Sequence, residues 1–126
     1  AEHLLAAGYD RAGNWELSQV CDHLADWMAF PMDGFPPMPL PVRVAMWGLR
    51  HTVGRRQLWS LLAGAPFPPG APTLTQSVHP PGDPAAAVAR LRATAERMTA
   101  FPGEPRPSPL FGRLTRDEWF GINLRH

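Results

Sequence analysis

Proline placement constrains the fold of this chain more than any other feature of its sequence. The sixteen prolines fall into three clusters, at 31–41, 66–84 and 102–109. Proline interrupts the interior of a helix but tolerates its first turn. No alternating run of β-branched residues and no Asn-Gly hairpin signal occurs between the clusters. The pattern therefore predicts an all-α chain whose helical blocks are 1–8, 15–30, 41–63, 84–101 and 115–126.

The block 15–30 combines an apolar stripe with a histidine at its edge. Residues at helical spacing form the stripe, namely Leu17, Val20, Cys21, Leu24, Trp27 and Met28. Ser18, Asp22 and Asp26 fall on the opposite side of the helix. A rotation of about 100° per residue places His23 on the flank of the stripe, so we expect its ring to approach the core.

Two blocks have clear helix starts. Asp83-Pro84 provides an N-cap followed by proline at the first helical position. Thr115 and Glu118 form a capping box, with Thr115 as N-cap and Glu118 bonding back to it. Trp119, Ile122 and His126 then recur on one face of the last helix. His126 is therefore expected, like His23, to face the helical core.

The two inward-facing histidines, His23 and His126, suggest a metal site. A buried imidazole is costly unless its ring nitrogens are occupied, and helix bundles build metal sites from facing helices. Neutral imidazole is also the usual nitrogen ligand of first-row metals. The alternative is that both histidines are structural and hydrogen-bond to carbonyls or carboxylates. Catalytic zinc sites normally have three protein ligands, so we expect a further ligand just past His126, one helical turn on.

The other titratable side chains are weaker candidates. Cys21 lies about 160° from His23 around the helix. It is expected to be a packing residue, because a free cysteine behaves as a small hydrophobe. His3, His51 and His79 are expected to face solvent.

The block 41–63 is basic and only imperfectly amphipathic. It contains four arginines and no acid, the arginines being Arg43, Arg50, Arg55 and Arg56. We predict that the block packs through Met46, Leu49 and Val53 and leaves its arginines in solvent. Gly48 and Gly54 interrupt the stripe, so one helix and two shorter helices both fit it. A solvated face accounts for these arginines more simply than a lipid or nucleic-acid surface, and we expect neither partner.

The composition fits one globular domain. The 126 residues are 44% hydrophobic and 18% charged, enough for a hydrophobic core. A net charge of +1 gives no overall attraction to nucleic acid or acidic lipid. A single cysteine excludes an intrachain disulfide, so a cytoplasmic location is expected. Residues 1–8 resemble the end of a helix, and the last block stops in mid-helix. We therefore expect a domain, 1–126, that is cut at both ends.

Two stretches of the chain resemble a known superfamily. Residues 15–24 have the form W-x-L-x-x-V-x-x-H-L, which resembles the second helix of the DinB/YfiT-like superfamily. Residues 109–126, PLFGRLTRDEWFGINLRH, resemble the entry and first half of its fourth helix. The closest resemblance is to an uncharacterised DinB-like family of bacterial proteins. It implies an up-down-down-up four-helix bundle with a long crossover, here 31–83, that carries an extra helix.

The resemblance also implies a metal-dependent chemistry. The superfamily binds a divalent metal of the zinc or nickel class through three histidines, of which the first two match His23 and His126. The third would fall four residues after His126, so we expect bound metal in a longer form of the chain and a weakly occupied or empty site in these 126 residues. Some members are thiol-dependent S-transferases and others are hydrolases. The expected function is therefore a metal-dependent enzyme acting on a small molecule, with a low-molecular-weight thiol as a candidate co-substrate. The alternative is a non-catalytic binding or dimerisation module with structural histidines.

Overall fold

The chain is all-α, as its proline pattern predicts. The computed structural model describes residues 1–11, 13–66 and 73–125. The helices are α1 (Glu2–Ala7), α2 (Leu17–Asp33), α3 (Leu40–Leu49), α4 (Arg55–Leu62), α5 (Pro84–Ala100) and α6 (Arg116–Arg125). In these residues the sole β pairing is one bridge between Ser108 and Gly112. No described helix is both long enough and apolar enough to cross a membrane.

Helix ends that depend on local capping lie where the sequence predicts them. The Thr115 amide donates to Glu118 Oε2 at 2.7 Å, and the Glu118 amide donates to Thr115 Oγ1 at 3.2 Å. The Asp83 carboxylate accepts the Ala85 amide at 3.0 Å at the start of α5. Both starts confirm the prediction, because a capping residue satisfies helical N–H groups that have no intrahelical partner.

The prediction that α2 ends at residue 30 was wrong, because the helix continues through Pro31 to Asp33. Pro31 lies in the last turn, where its missing N–H removes a single helical hydrogen bond. Its carbonyl accepts the amide of Arg106 at 2.7 Å. Gly34 follows with a φ of 114°, a conformation that favours glycine, and its amide donates to Phe30 O at 2.9 Å.

The block predicted at 41–63 is one helical rod with a π turn in its middle. The π turn covers Arg50–Gly54 and joins α3 directly to α4. Leu49, Arg50 and Arg55 all have right-handed helical dihedrals. Gly54 is buried, and a Cβ there would clash with the carbonyl oxygen of Leu110. The glycine that interrupts the apolar stripe is therefore a point of close backbone approach.

The predicted packing face of this rod was wrong. Leu49 and Val53 are exposed and Met46 is only half-buried, whereas Leu58 and Leu61 are fully buried. Met46 and Leu49 precede the π turn in α3, which buries none of its residues, so the core contacts of the rod come from α4 after the turn. Arg55 and Arg56 are exposed, as predicted.

Two compact units make up the chain. The first consists of Ala1–Ala29 and Pro72–Phe101, and the second of Phe30–Ala71 and Pro102–His126. In the first unit, residues of α2 and α5 form a core cluster of Leu17, Cys21, Ala87 and Val88, with Leu91 packed against it. In the second unit α4 packs on α6, and the buried side chains include Leu58, Leu61, Trp119 and Ile122.

Candidate functional site

Polar side chains of α2 hold the segment 77–82 against that helix. Gln19 Nε2 donates to the His79 carbonyl at 2.7 Å, and Ser18 Oγ accepts the Gly82 amide at 3.1 Å. His23 Nδ1 lies 3.0 Å from the Ser77 carbonyl oxygen. Ser18 and His23 are both buried. The side of α2 opposite the apolar stripe is thus an interior surface, and its polar groups are satisfied by chain more than fifty residues away.

His23 is fixed in one tautomer by this arrangement. A carbonyl oxygen only accepts hydrogen bonds, so Nδ1 carries the proton and Nε2 carries the lone pair. The ring lies edge-on between Trp15 and Trp27, with centroid distances of 4.9 and 6.2 Å. Burial lowers the pKa of His23, partly offset by the Ser77 hydrogen bond and by Asp26. The neutral imidazole is therefore the favoured form.

A second group of side chains centres on Asp26. His79 Nε2 donates to Asp26 Oδ2 at 2.6 Å, and Arg90 Nη2 donates to Asp26 Oδ1 at 2.5 Å. Arg90 Nη1 also donates to Asp22 Oδ1 at 2.9 Å. Burial lowers the pKa of Arg90, but its hydrogen bonds to Asp26 and Asp22 outweigh that effect and raise it. Asp26 is therefore a buried carboxylate with both oxygens bonded.

Comparison with known proteins identifies a family for the whole chain. The sequence matches the family described as "Protein of unknown function (DUF1569)" over residues 1–126. The chain belongs to the DUF1569 family. No curated protein matches the DUF1569 chain, and no solved structure does. The prediction that the chain belongs to an uncharacterised family is confirmed, and its membership of the DinB-like superfamily stays a prediction.

Only one of the two predicted metal ligands of this DUF1569 chain lies among the described residues. His23 is buried and oriented, whereas His126 lies outside the described residues. Within residues 1–11, 13–66 and 73–125, no group of three or more His, Cys, Asp or Glu side chains is arranged to hold a metal. Cys21 is buried in the core cluster, as predicted, and burial raises the pKa of its thiol.

The solvent-facing prediction held for two of the three remaining histidines of the DUF1569 chain. His3 and His51 are exposed, and the His51 ring packs on Trp47 at 4.7 Å. His79 is instead half-buried against Asp26. The prediction for His79 was wrong because the segment 77–82, which contains it, packs on α2.

Sequence reasoning also missed Asp26 and Arg90 as partners. One signal was present: α2 contains Asp22 and Asp26 one turn apart and no arginine or lysine along its length. Carboxylates one turn apart on such a helix repel each other, and a cation from another element relieves that repulsion. The sequence alone does not say that Arg90 provides it.

Proposed function

We propose that this DUF1569 chain is a metal-dependent enzyme of the DinB-like type, with His23 as the metal ligand contributed by α2. We further propose the up-down-down-up four-helix arrangement with residues 31–83 as the crossover. The observation that carries the metal proposal is the hydrogen bond between His23 Nδ1 and the Ser77 carbonyl.

That hydrogen bond suits a metal-ligating histidine, although the alternative of a structural histidine predicts the same bond. Such histidines almost always donate their second ring N–H to a carbonyl or carboxylate, which fixes the tautomer and the ring orientation. The lowered pKa of His23 acts in the same direction, because a protonated imidazole does not bind metal. The flanking Trp15 and Trp27 restrict rotation of the ring.

The described residues fit part of such a site. His23 would be one ligand, while Asp26 is bonded to both His79 and Arg90. His126 and a ligand one turn after it remain predictions from the resemblance. A bound zinc- or nickel-class ion would lower the pKa of a thiol or a water molecule. Ser77 would hold His23 in its tautomer, and the Asp26–Arg90 pair would anchor α5 to α2 behind it.

Metal titration with matched histidine variants tests the proposal. We expect Zn²⁺ affinity, measured by competition with a chromogenic chelator, to fall at least about tenfold in His23→Ala, since a ligand matters no less than the groups that orient it. His126→Ala should show a similar loss and His51→Ala none. Nitrogen-15 NMR of the histidine rings should show zinc shifting His23 Nε2 while Nδ1 keeps its proton. Unchanged affinity in His23→Ala would overturn the proposal.

A second function, a non-catalytic binding or dimerisation module, is favoured by the Asp26 network. His79, Arg90 and Asp22 pair around Asp26, as expected of a purely structural polar interior. In that case His23→Ala should lower thermal stability equally with and without zinc. Under the metal proposal, zinc should stabilise the parent protein and not the variant. The small-molecule substrate, a thiol co-substrate, homodimer formation and the cytoplasmic location stay predictions.

A further inference from the structure

The rod formed by α3, the π turn and α4 exposes an unusual row of large apolar side chains. Leu40, Val44, Trp47 and Trp59 are between 57% and 68% exposed. None of the residues of α3 is buried, although the helix is mostly apolar. Single exposed apolar residues are ordinary, but several large ones on one helical rod, including two tryptophans, are typical of an interaction surface.

The π turn aligns the two tryptophans on one side of the rod. Twelve residues of uninterrupted α-helix separate Trp47 and Trp59 by about 120° of rotation. One extra residue accommodated in the turn Arg50–Gly54 reduces this to about 20°. The ring contact between Trp47 and His51 lies on the same line. We call this row, with the arginines beside it, the tryptophan–arginine face, and it consists of Leu40, Arg43, Val44, Trp47, Arg55 and Trp59.

A second side of the rod, formed by α4 and the end of the π turn, is already occupied. Gly54, Leu58 and Leu61 are buried there, and Leu62 approaches Gly121 of α6 closely enough that a Cβ on the glycine would lie 2.6 Å from it. The second unit thus uses one side of the rod for its own core. The tryptophan–arginine face is left over after that packing is complete.

The charge on this rod has one sign. Residues 40–63 contain four arginines and no aspartate or glutamate. Among the described residues, Arg43, Arg50, Arg55 and Arg56 form no ion pair, whereas Arg90 and Arg92 are paired with acids. A binding partner that suits this surface therefore carries both apolar groups and negative charge.

A groove beside the row also combines apolar walls with arginine side chains. It has a volume of about 390 Å³ and is lined by Leu40, Val44, Trp47 and Pro109 together with the guanidinium-bearing Arg43 and Arg50. Apolar walls with two arginines suit an acyl chain that ends in a phosphate or carboxylate head group.

We propose that the tryptophan–arginine face binds the surface of an anionic lipid bilayer, with the rod lying in the plane of the interface. Tryptophan side chains prefer the boundary between head groups and acyl chains, and arginines beside them bind anionic lipids. A second copy of this chain is a poorer occupant, because it would bring two sets of unpaired arginines together. The proposal replaces the sequence-based expectation of no membrane partner and is independent of the metal site.

Vesicle co-sedimentation with matched variants tests this binding. The parent protein should bind vesicles of phosphatidylcholine containing about one-third phosphatidylserine, and bind pure phosphatidylcholine much more weakly. Arg43→Gln with Arg55→Gln should weaken binding about 30-fold, since each arginine near such a surface contributes about a factor of five. Arg11→Gln with Arg113→Gln removes the same charge from exposed positions outside the face and should change binding far less.

The apolar part of the face needs its own variants. Trp47→Gln with Trp59→Gln should abolish binding, whereas the same change at the exposed Val78 and Leu124 should not. All these positions are exposed, so the variants should have the same melting temperature as the parent protein. Raising salt from about 0.1 M to about 1 M shortens the Debye length from about 10 Å to about 3 Å and should release the protein.

Four outcomes would overturn the proposal. One is equal binding to neutral and anionic vesicles, and another is an Arg43/Arg55 variant that binds like its charge-matched control. The third is a dimer of the parent protein, in light scattering, that the Trp47/Trp59 variant converts to a monomer. Retention of duplex RNA that is insensitive to the tryptophan changes would assign the arginines to nucleic acid instead.

Discussion

The surroundings of α2 and the rod of α3 and α4 both depart from the usual pattern of apolar side chains inside and polar side chains outside. Polar side chains are buried beside α2, whereas apolar side chains are exposed on the rod. Beside α2, the polar residues Ser18, His23 and Asp26 are buried. Along the rod, Leu40 and Trp47 are exposed although they are among the most apolar side chains of the chain. The two regions belong to different compact units, and each is described by its own contacts.

The two regions find their partners in different places. Every buried polar group named beside α2 has a hydrogen-bond partner from the segment 77–82 or from α5, so its desolvation is compensated within the chain. The exposed apolar row has no such compensation among the described residues. We therefore propose that the partner of this row lies outside the chain, on the surface of a bilayer.

The largest expected effect contrasts two leucines of the same rod. Leu58 is 0% exposed and Leu40 is 68% exposed. Leu58→Ala should lower the free energy of unfolding by about 3 kcal/mol, because it leaves a cavity in the second unit. Leu40→Ala, with the same change in helix propensity, should cost less than about 0.5 kcal/mol. Urea denaturation measures both. A large loss in Leu40→Ala would show that the row is packed in solution.

The next effect tests whether the polar interior depends on Asp26. Asp26→Asn leaves Arg90 and His79 without their shared carboxylate. Removing one member of a fully buried pair costs about 3–5 kcal/mol, and the partly hydrated Arg90 should reduce this to about 2 kcal/mol. The matched variant Asp22→Asn, at a more exposed partner of the same arginine, should cost less than about 1 kcal/mol. Equal losses in thermal melts would contradict a special role for Asp26.

A smaller effect is expected from pH. Burial lowers the pKa of folded His23 below the 6.5 of an ordinary histidine, so the unfolded chain takes up a proton at a higher pH than the folded chain. Stability should be complete above about pH 6.5 and fall as the pH drops toward the folded pKa, by at most about 1.4 kcal/mol per pH unit. His23→Asn retains a donor for Ser77 and should flatten this part of the profile. His51→Asn should leave it unchanged, and a profile that His23→Asn does not alter would disprove the assignment.

The smallest effect sharpens the contrast from the side of the rod. Arg55→Gln with Arg56→Gln should change the melting temperature very little, since isolated exposed charges contribute almost nothing to stability. A clear destabilisation would mean that these arginines have partners within the protein. The same variant should nevertheless bind anionic vesicles less tightly, which separates stability from surface recognition.

The candidate site was predictable only in part. His23 was found because a histidine beside an apolar stripe is a local pattern of one helix. Its tautomer depends on Ser77, and the charge environment depends on His79 and Arg90, all more than fifty residues away. No periodicity within α2 encodes which distant segment covers its second side.

The all-α class follows from the amino-acid sequence alone. So do the helix ends that are set by neighbours two or three residues apart, such as Thr115 with Glu118 and Asp83 with Ala85. Tertiary structure alone decided that α2 continues through Pro31, that a π turn at Arg50–Gly54 rotates the residues after it, and that Asp26 is buried. The physical reason is the sequence separation between the interacting residues. Capping is satisfied within one turn of chain, whereas the burial of a side chain depends on which remote surface packs against it.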